Sequence, residues 1–162
     1  MAIVYRKDIG SKRVIEIANF LAKYGEIAIR RAYETHTFVD DTKNLKDSYG
    51  SAVYYNGKMV SGTIRTLGSP EAVESKDWYG RKVRGRKAVE DFLRHRYTPK
   101  QQGFFLAIVA AMPYGEVIEN KYKYKVISGA RRVMKDMATE LGGKLGVRKN
   151  VFQIHQIDEE IF

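Results

Sequence analysis

Between residues 9 and 35, apolar positions recur at alternating steps of four and three: Val14, Ala18, Leu21, Gly25, Ala28 and Ala32, flanked by Ile15, Ala22 and Ile29. That spacing predicts a long amphipathic helix with a wide buried stripe. Most of the stripe is small, so another backbone can come close, first a sheet of the same chain and otherwise a neighbouring subunit. Gly25 costs such a helix about 1 kcal/mol relative to alanine. A second helical period, through Val126, Ala130, Val133, Met134, Met137, Ala138 and Leu141, predicts a helix over 126–141 that Gly142-Gly143 stops.

Between the helices the period changes. Residues 35–44 read as a polar connection, with Asp40 and Asp41 as turn formers. Residues 46–64 read as a hairpin, because Asn56-Gly57 tolerates positive φ at both central positions of a type I′ turn. The turn fixes the register: Tyr55 faces Lys58, Tyr54 faces Met59 and Val53 faces Val60. Ser51, Val53 and Tyr55 then share one side of the strand, and Ala52 and Tyr54 the other. A strand apolar or aromatic on both sides is covered on both sides. The uninterrupted apolar run at 104–112, between Gly103 and Pro113, suits a central strand buried on both faces. A last short strand is expected through Phe152, Ile154 and Ile157.

Residues 65–102 break this regularity. They carry Gly68-Ser69-Pro70, the single tryptophan Trp78, Gly80 and Gly85, then a short helix over 86–97 with the stripe Ala88, Val89, Phe92 and Leu93, stopped by Thr98-Pro99. The stretch is too short to enclose a core of its own, so it reads as an excursion from the sheet. The expected fold is α+β: one domain over 1–162, with a small mixed or antiparallel sheet packed by one long N-terminal helix and one C-terminal helix.

Composition agrees with one packed core: of 162 residues, 44% are apolar and 12% aromatic. The absence of cysteine removes disulfides, thiolate metal sites and cysteine nucleophiles, and fits a reducing cytosolic origin. No apolar run is long enough to span a bilayer and residues 1–12 hold no signal-peptide stretch, so a soluble protein with no membrane partner is expected. The net charge of +10 favours an acidic partner. Over 81–100, eight basic residues (Arg81, Lys82, Arg84, Arg86, Lys87, Arg94, Arg96 and Lys100) stand against two acids, Glu90 and Asp91. Such a segment is either a solvated face or a surface turned to DNA or to an acidic protein.

Chemistry is sparse. His36, His95 and His155 have no partner at metal-ligand spacing. Asp40-Asp41 fits turn chemistry better than a metal pair. Glu119-x-Lys121 after an apolar strand, with Asp91 as an upstream acid, is the one pattern a magnesium nuclease would use. No Pro-Asp leads it, and Tyr122 to Lys125 continue as an alternating solvated strip. Gly142-Gly143-Lys144-Leu145-Gly146 follows a helix instead of opening one and is not a phosphate loop. The expectation is a non-enzymatic protein, with no catalytic residues, no metal and no cofactor.

Two short blocks carry a resemblance. Asp41-Thr42-x-Asn44-Leu45-x-x-Ser48 precedes the hairpin, and Tyr114-Gly115-x-x-x-Glu119 follows the buried strand. In this order of elements the chain resembles the tailed-phage head-tail joining, or tail-completion (neck), protein family, whose motifs are typically Asp-Thr-Gly-x-Leu-x-x-Ser and Tyr-Ala-x-x-x-Glu. Asp41, Thr42, Leu45 and Ser48 match the first motif, and Tyr114 and Glu119 the second. Lys43 stands where the family often has glycine, Gly115 replaces alanine, and the 65–102 excursion is longer than the family's pattern. The resemblance implies a virion structural protein at the head-tail joint or tail end, present in the host cytoplasm during assembly. It also implies a ring, commonly hexameric, that contacts neck, portal or tail proteins and passes DNA through a central channel. On that reading Asp41 and Thr42 satisfy loop amides, Leu45 anchors the loop, Ser48 ends the turn, and Tyr114 with Glu119 locks the second turn or meets a neighbour. The basic residues then face DNA or an acidic partner. The rival is a free nucleic-acid-binding protein using 81–100 as its main surface.

Overall fold

A computed structural model describes residues 2–3, 11–35, 42–77, 79–100 and 102–112, with helical positions 130, 132, 134–136 and 139–140. Strand β1 (Ala2–Ile3) precedes helix α1 (Ser11–Glu34), then come the one-turn helix α2 (Asn44–Asp47) and strands β2 (Tyr49–Tyr55), β3 (Lys58–Met59) and β4 (Arg65–Thr66). A separate two-stranded ribbon, β5 (Ser75–Lys76) and β6 (Lys82–Val83), leads to helix α3 (Gly85–Asp91), a π-helix over Phe92–Arg96, and strand β7 (Phe104–Ala110). The fold is α+β. Every strand pairing described is antiparallel, in the order β1-β7-β2-β3, with β4 on the same edge of β2 as β3.

The hairpin forms as its turn dictates. Asn56 and Gly57 adopt φ of 48° and 80°, and Tyr55 faces Lys58 while Tyr54 faces Met59. Val60 N–H then donates to Val53 C=O at 2.9 Å. The returning strand is broken between β3 and β4, and Thr63 fills the gap: its hydroxyl accepts from Val53 N–H at 3.1 Å and donates to Val60 C=O at 2.7 Å. A side chain thus supplies the ladder bond that the interrupted backbone does not. The expected hairpin start at residue 46 is corrected. Lys46 and Asp47 lie in α2, and the strand begins at Tyr49.

Alternation along β2 and β7 divides the core into two layers. Tyr49, Val53, Phe104 and Leu106 pack under α1 with Ile17, Ala18, Leu21, Ala22, Ala28, Ile29 and Ala32. Buried Ala130 and Met134 join the same layer, so the C-terminal helical residues lie on the α1 side. On the reverse, Ala52, Tyr54, Phe105, Ala107 and Val109 meet Val89, Phe92, Leu93 and Tyr97. Each fully buried large side chain of this kind contributes about 1.5–3 kcal/mol. The α1 stripe lies as its period predicts, with one exchange: Ile15 is 52% exposed and Ile17 only 4%. The buried arc runs from Ile17 across Gly25 to Ala22, and Ile15 falls past the Ala22 rim.

Close approach explains the small residues. A Cβ on Gly25 would lie 2.5 Å from Ser51 Oγ, and one on Gly50 would lie 2.6 Å from Val89 Cγ2. Glycine therefore seats α1 on one face of β2 and α3 on the other. The small-residue stripe of α1 is occupied by its own sheet.

Candidate functional site

The first motif block folds into a buried polar hub. Thr42 Oγ1 accepts from Asn44 N–H at 3.3 Å, Leu45 is fully buried, and Ser48 Oγ donates to Leu45 C=O at 2.7 Å, which ends the turn. Lys43 adopts φ 55°, ψ 9°. It holds the left-handed conformation that glycine takes without steric cost, so the turn expected of a glycine is made here by a lysine.

What the hub holds is the excursion. Asn44 Nδ2 donates to Ser75 Oγ and to Val83 C=O, and Asn44 Oδ1 accepts from Gly85 N–H. Asp47, 1% exposed, accepts from Ser69 N–H at 2.7 Å through Oδ1 and from Arg86 N–H at 3.0 Å through Oδ2. Arg84 approaches the same Oδ2 at 3.4 Å and also donates to Ser69 C=O. Val73 N–H donates to Thr42 C=O at 2.9 Å. The contact is tight: a Cβ on Gly85 would fall on the backbone of Asn44 and Ser48. One helical turn thus clamps 69–86 onto the sheet as a structured arm.

Within the arm, Asp77 organises the β5-β6 turn. Its Oδ1 accepts from Tyr79 N–H and Arg81 N–H, each at 2.9 Å, and its Oδ2 takes Arg81 Nη2 at 2.7 Å. Burial pushes this carboxyl up, but the bonds from Arg81 and Tyr79 and the Arg81 charge outweigh it and hold the group below the usual carboxylate range. The turn presents Tyr79, 57% exposed, with the Arg96 guanidinium 3.9 Å and that of Arg81 5.4 Å from its ring centroid. Hairpin and π-helix therefore meet at a cation-aromatic contact.

The π-helix has a local cause. Tyr97 N–H donates to Phe92 C=O at 3.0 Å, which releases Leu93 C=O from its α-helical partner, and that carbonyl accepts the buried Tyr54 hydroxyl at 2.5 Å. Burial drives the Tyr54 phenol above its ordinary pKa and pushes Tyr97 up to about 12.

The candidate cations divide by role. Arg81 is paired with Asp77, Arg84 with Asp47, and Arg86 with Glu90 at 3.2 Å on the surface. Lys82, Lys87, Arg94 and Arg96 are exposed, and among the described residues none lies within ion-pair distance of a carboxylate. Asp41, Tyr114 and Glu119 lie outside the described residues, as do the expected strand through Phe152, Ile154 and Ile157, His36 and His155. Among the described residues no group of three His, Asp or Glu side chains could hold a metal ion, and no helix is long and apolar enough to cross a membrane. Asn44 and Asp47 are the residues that sequence reasoning missed. Nothing local tells them from solvated loop residues, because their partners lie 22 to 41 residues further along the chain. No family model matches the chain, and no curated protein or solved structure does either.

Proposed function

We propose that this protein is a non-enzymatic structural component of a tailed-phage particle, assembling as a ring at the head-tail joint or tail end. The observation that carries the proposal is the Thr42–Ser48 turn. The matching residues Thr42, Leu45 and Ser48 make a purely structural device whose neighbours Asn44 and Asp47 fix a basic arm to the sheet. Fixing a surface arm at this density of buried hydrogen bonds suits a protein that works through the shape it presents to neighbours. The inner stripe of α1 is already packed on the sheet, so subunit contacts fall to its outer side, where Ile15 and Ile27 are exposed among charged residues. Burying such isolated apolar side chains between copies favours a symmetric assembly.

The test combines light scattering and negative-stain microscopy with immunogold labelling of particles. Closed rings in solution, or label at the head-tail junction, support the proposal, and Ile27→Asp should reduce assembly while leaving the circular dichroism unchanged. A chain that stays monomeric and labels no particle refutes it. A second reading, a free nucleic-acid-binding protein, is favoured by the exposed cations of the arm. It predicts tight DNA binding by the monomer.

A further inference from the structure

We infer that the exposed surface of the β5-β6 ribbon and of the helical segment that follows it, carrying Lys82, Lys87, Arg94 and Arg96, contacts the phosphate backbone of a nucleic acid without reading its sequence. This goes beyond the assembly proposal and holds whether or not the chain forms rings. Of the nearby acids, Asp47 and Asp77 are buried under hydrogen bonds and Glu90 is paired with Arg86, while Glu71, Glu74 and Asp91 form no ion pair with the four cations. That leaves four exposed cations on a clamped ribbon and helix, with no carboxylate at ion-pair distance among the described residues. Arg96 is preorganised. Its guanidinium lies over the Tyr79 ring, 3.9 Å from the centroid, a contact that restricts the side chain and leaves N–H donors for a phosphate.

An acidic protein would be the other polyanion, but the surface is wrong for it. Protein interfaces have apolar or aromatic centres and few lysines. Among the described residues of this surface only Val73 and Tyr79 expose large apolar side chains. Backbone phosphates need only distributed positive charge, so the contact is one of charge.

Fluorescence anisotropy with a labelled random-sequence duplex and a random single strand tests this, using the full chain, a Lys82→Ala/Lys87→Ala/Arg94→Ala/Arg96→Ala variant, and a charge-matched control. The control, Lys12→Ala/Lys23→Ala/Arg132→Ala/Lys135→Ala, removes exposed cations from the α1 side of the molecule. The expected result is binding by the wild-type chain at low salt that weakens as salt rises. The arm variant should bind at least tenfold more weakly, with a log-log salt slope shallower by about one per cation removed, and the control should bind within about threefold of wild type. Thermal melts of all three check that the fold is kept, and Lys82→Ala/Lys87→Ala alone gives a milder variant if the fourfold change unfolds the arm. Equal losses in arm variant and control overturn the inference, as does the absence of DNA binding at low salt. Loss of binding to an acidic polypeptide such as poly-glutamate with DNA binding unchanged also overturns it, and assigns the arm to a protein. Light scattering on the same samples reports ring formation separately, so the two proposals can fail independently.

Discussion

Replacing Asp47 with alanine should detach the arm while leaving the two-layered core in place. The carboxylate is 1% exposed and takes Ser69 N–H at 2.7 Å and Arg86 N–H at 3.0 Å, with Arg84 at 3.4 Å. Ser69 N–H lies in a buried bond, so its loss costs the full range of about 1–3 kcal/mol for an orphaned donor. Arg86 N–H is part-buried and regains some water, which places it near the lower end, at about 1 kcal/mol. Arg84 is 44% exposed, so screening leaves its pairing worth under about 1 kcal/mol. Together the change should destabilise by about 2–5 kcal/mol, a lowering of Tm by roughly 4–20 °C for a domain of this size. Asp47→Asn should fall between, since its amide oxygen still accepts one N–H while its amide nitrogen faces a donor. Chemical denaturation gives the total, and hydrogen exchange at Ser69, Gly85 and Arg86 locates it. A loss below about 0.5 kcal/mol, with protection at those three amides unchanged, would refute the clamp.

Tyr54→Phe leaves Leu93 C=O without its buried donor, so it should cost about 1–3 kcal/mol and move the exchange protection of Tyr97 as the π-helix relaxes toward α; an unchanged Tyr97 amide counts against the stated cause of the π-helix. Gly25→Ala drives a Cβ to 2.5 Å from Ser51 Oγ and should cost about 1–3 kcal/mol, relieved when Ser51→Gly is added, as thermal melts would show. Ser51 Oγ is buried with no hydrogen-bond partner, so Ser51→Ala alone should be neutral or stabilising by up to about 1 kcal/mol, and a clear loss of stability would contradict that assignment. Asp77 is held below its ordinary range in the folded chain, so its contribution is present above the unfolded carboxyl value of about 3.9 and is lost as pH falls through the lower folded value. The Tyr79 and Arg81 amide resonances should therefore titrate with a midpoint below that of a free aspartate, and a midpoint at or above it would remove Asp77 as the organiser of the turn.

Local chemistry made several elements legible. Asn56-Gly57 sets its own turn, and the turn sets the register of β2 against β3, because the side-chain alternation admits no slip by one residue. The apolar run that becomes β7 needs no partner to be recognised, and the stripe Ala88, Val89, Phe92 and Leu93 predicts the helix and the face it buries. The hub could not be read this way. Asp47 and Asn44 bond groups 22 and 41 residues further along the chain, and an exposed loop carboxylate looks the same in sequence as a buried one. The pairing of Arg84 was hidden for the same reason, whereas Arg81 and Arg86 pair with acids four residues away, a spacing that does not by itself tell a pair from two solvated charges.

Sequence alone determined the periods, the hairpin turn, the two-sided burial of the central strands and the positive charge of the arm, all of which follow from properties of residues close together along the chain. Tertiary structure decided that Gly25 is a seat for Ser51, that Lys43 takes a glycine conformation, and that Arg81 and Arg84 are structural while Lys82, Lys87, Arg94 and Arg96 face solvent. The seat at Gly25 and the pairing of Arg84 rest on contacts between segments far apart in sequence, and Arg81 is fixed because its neighbour Asp77 is buried; burial converts a polar side chain from a solvated group into one that must find a partner.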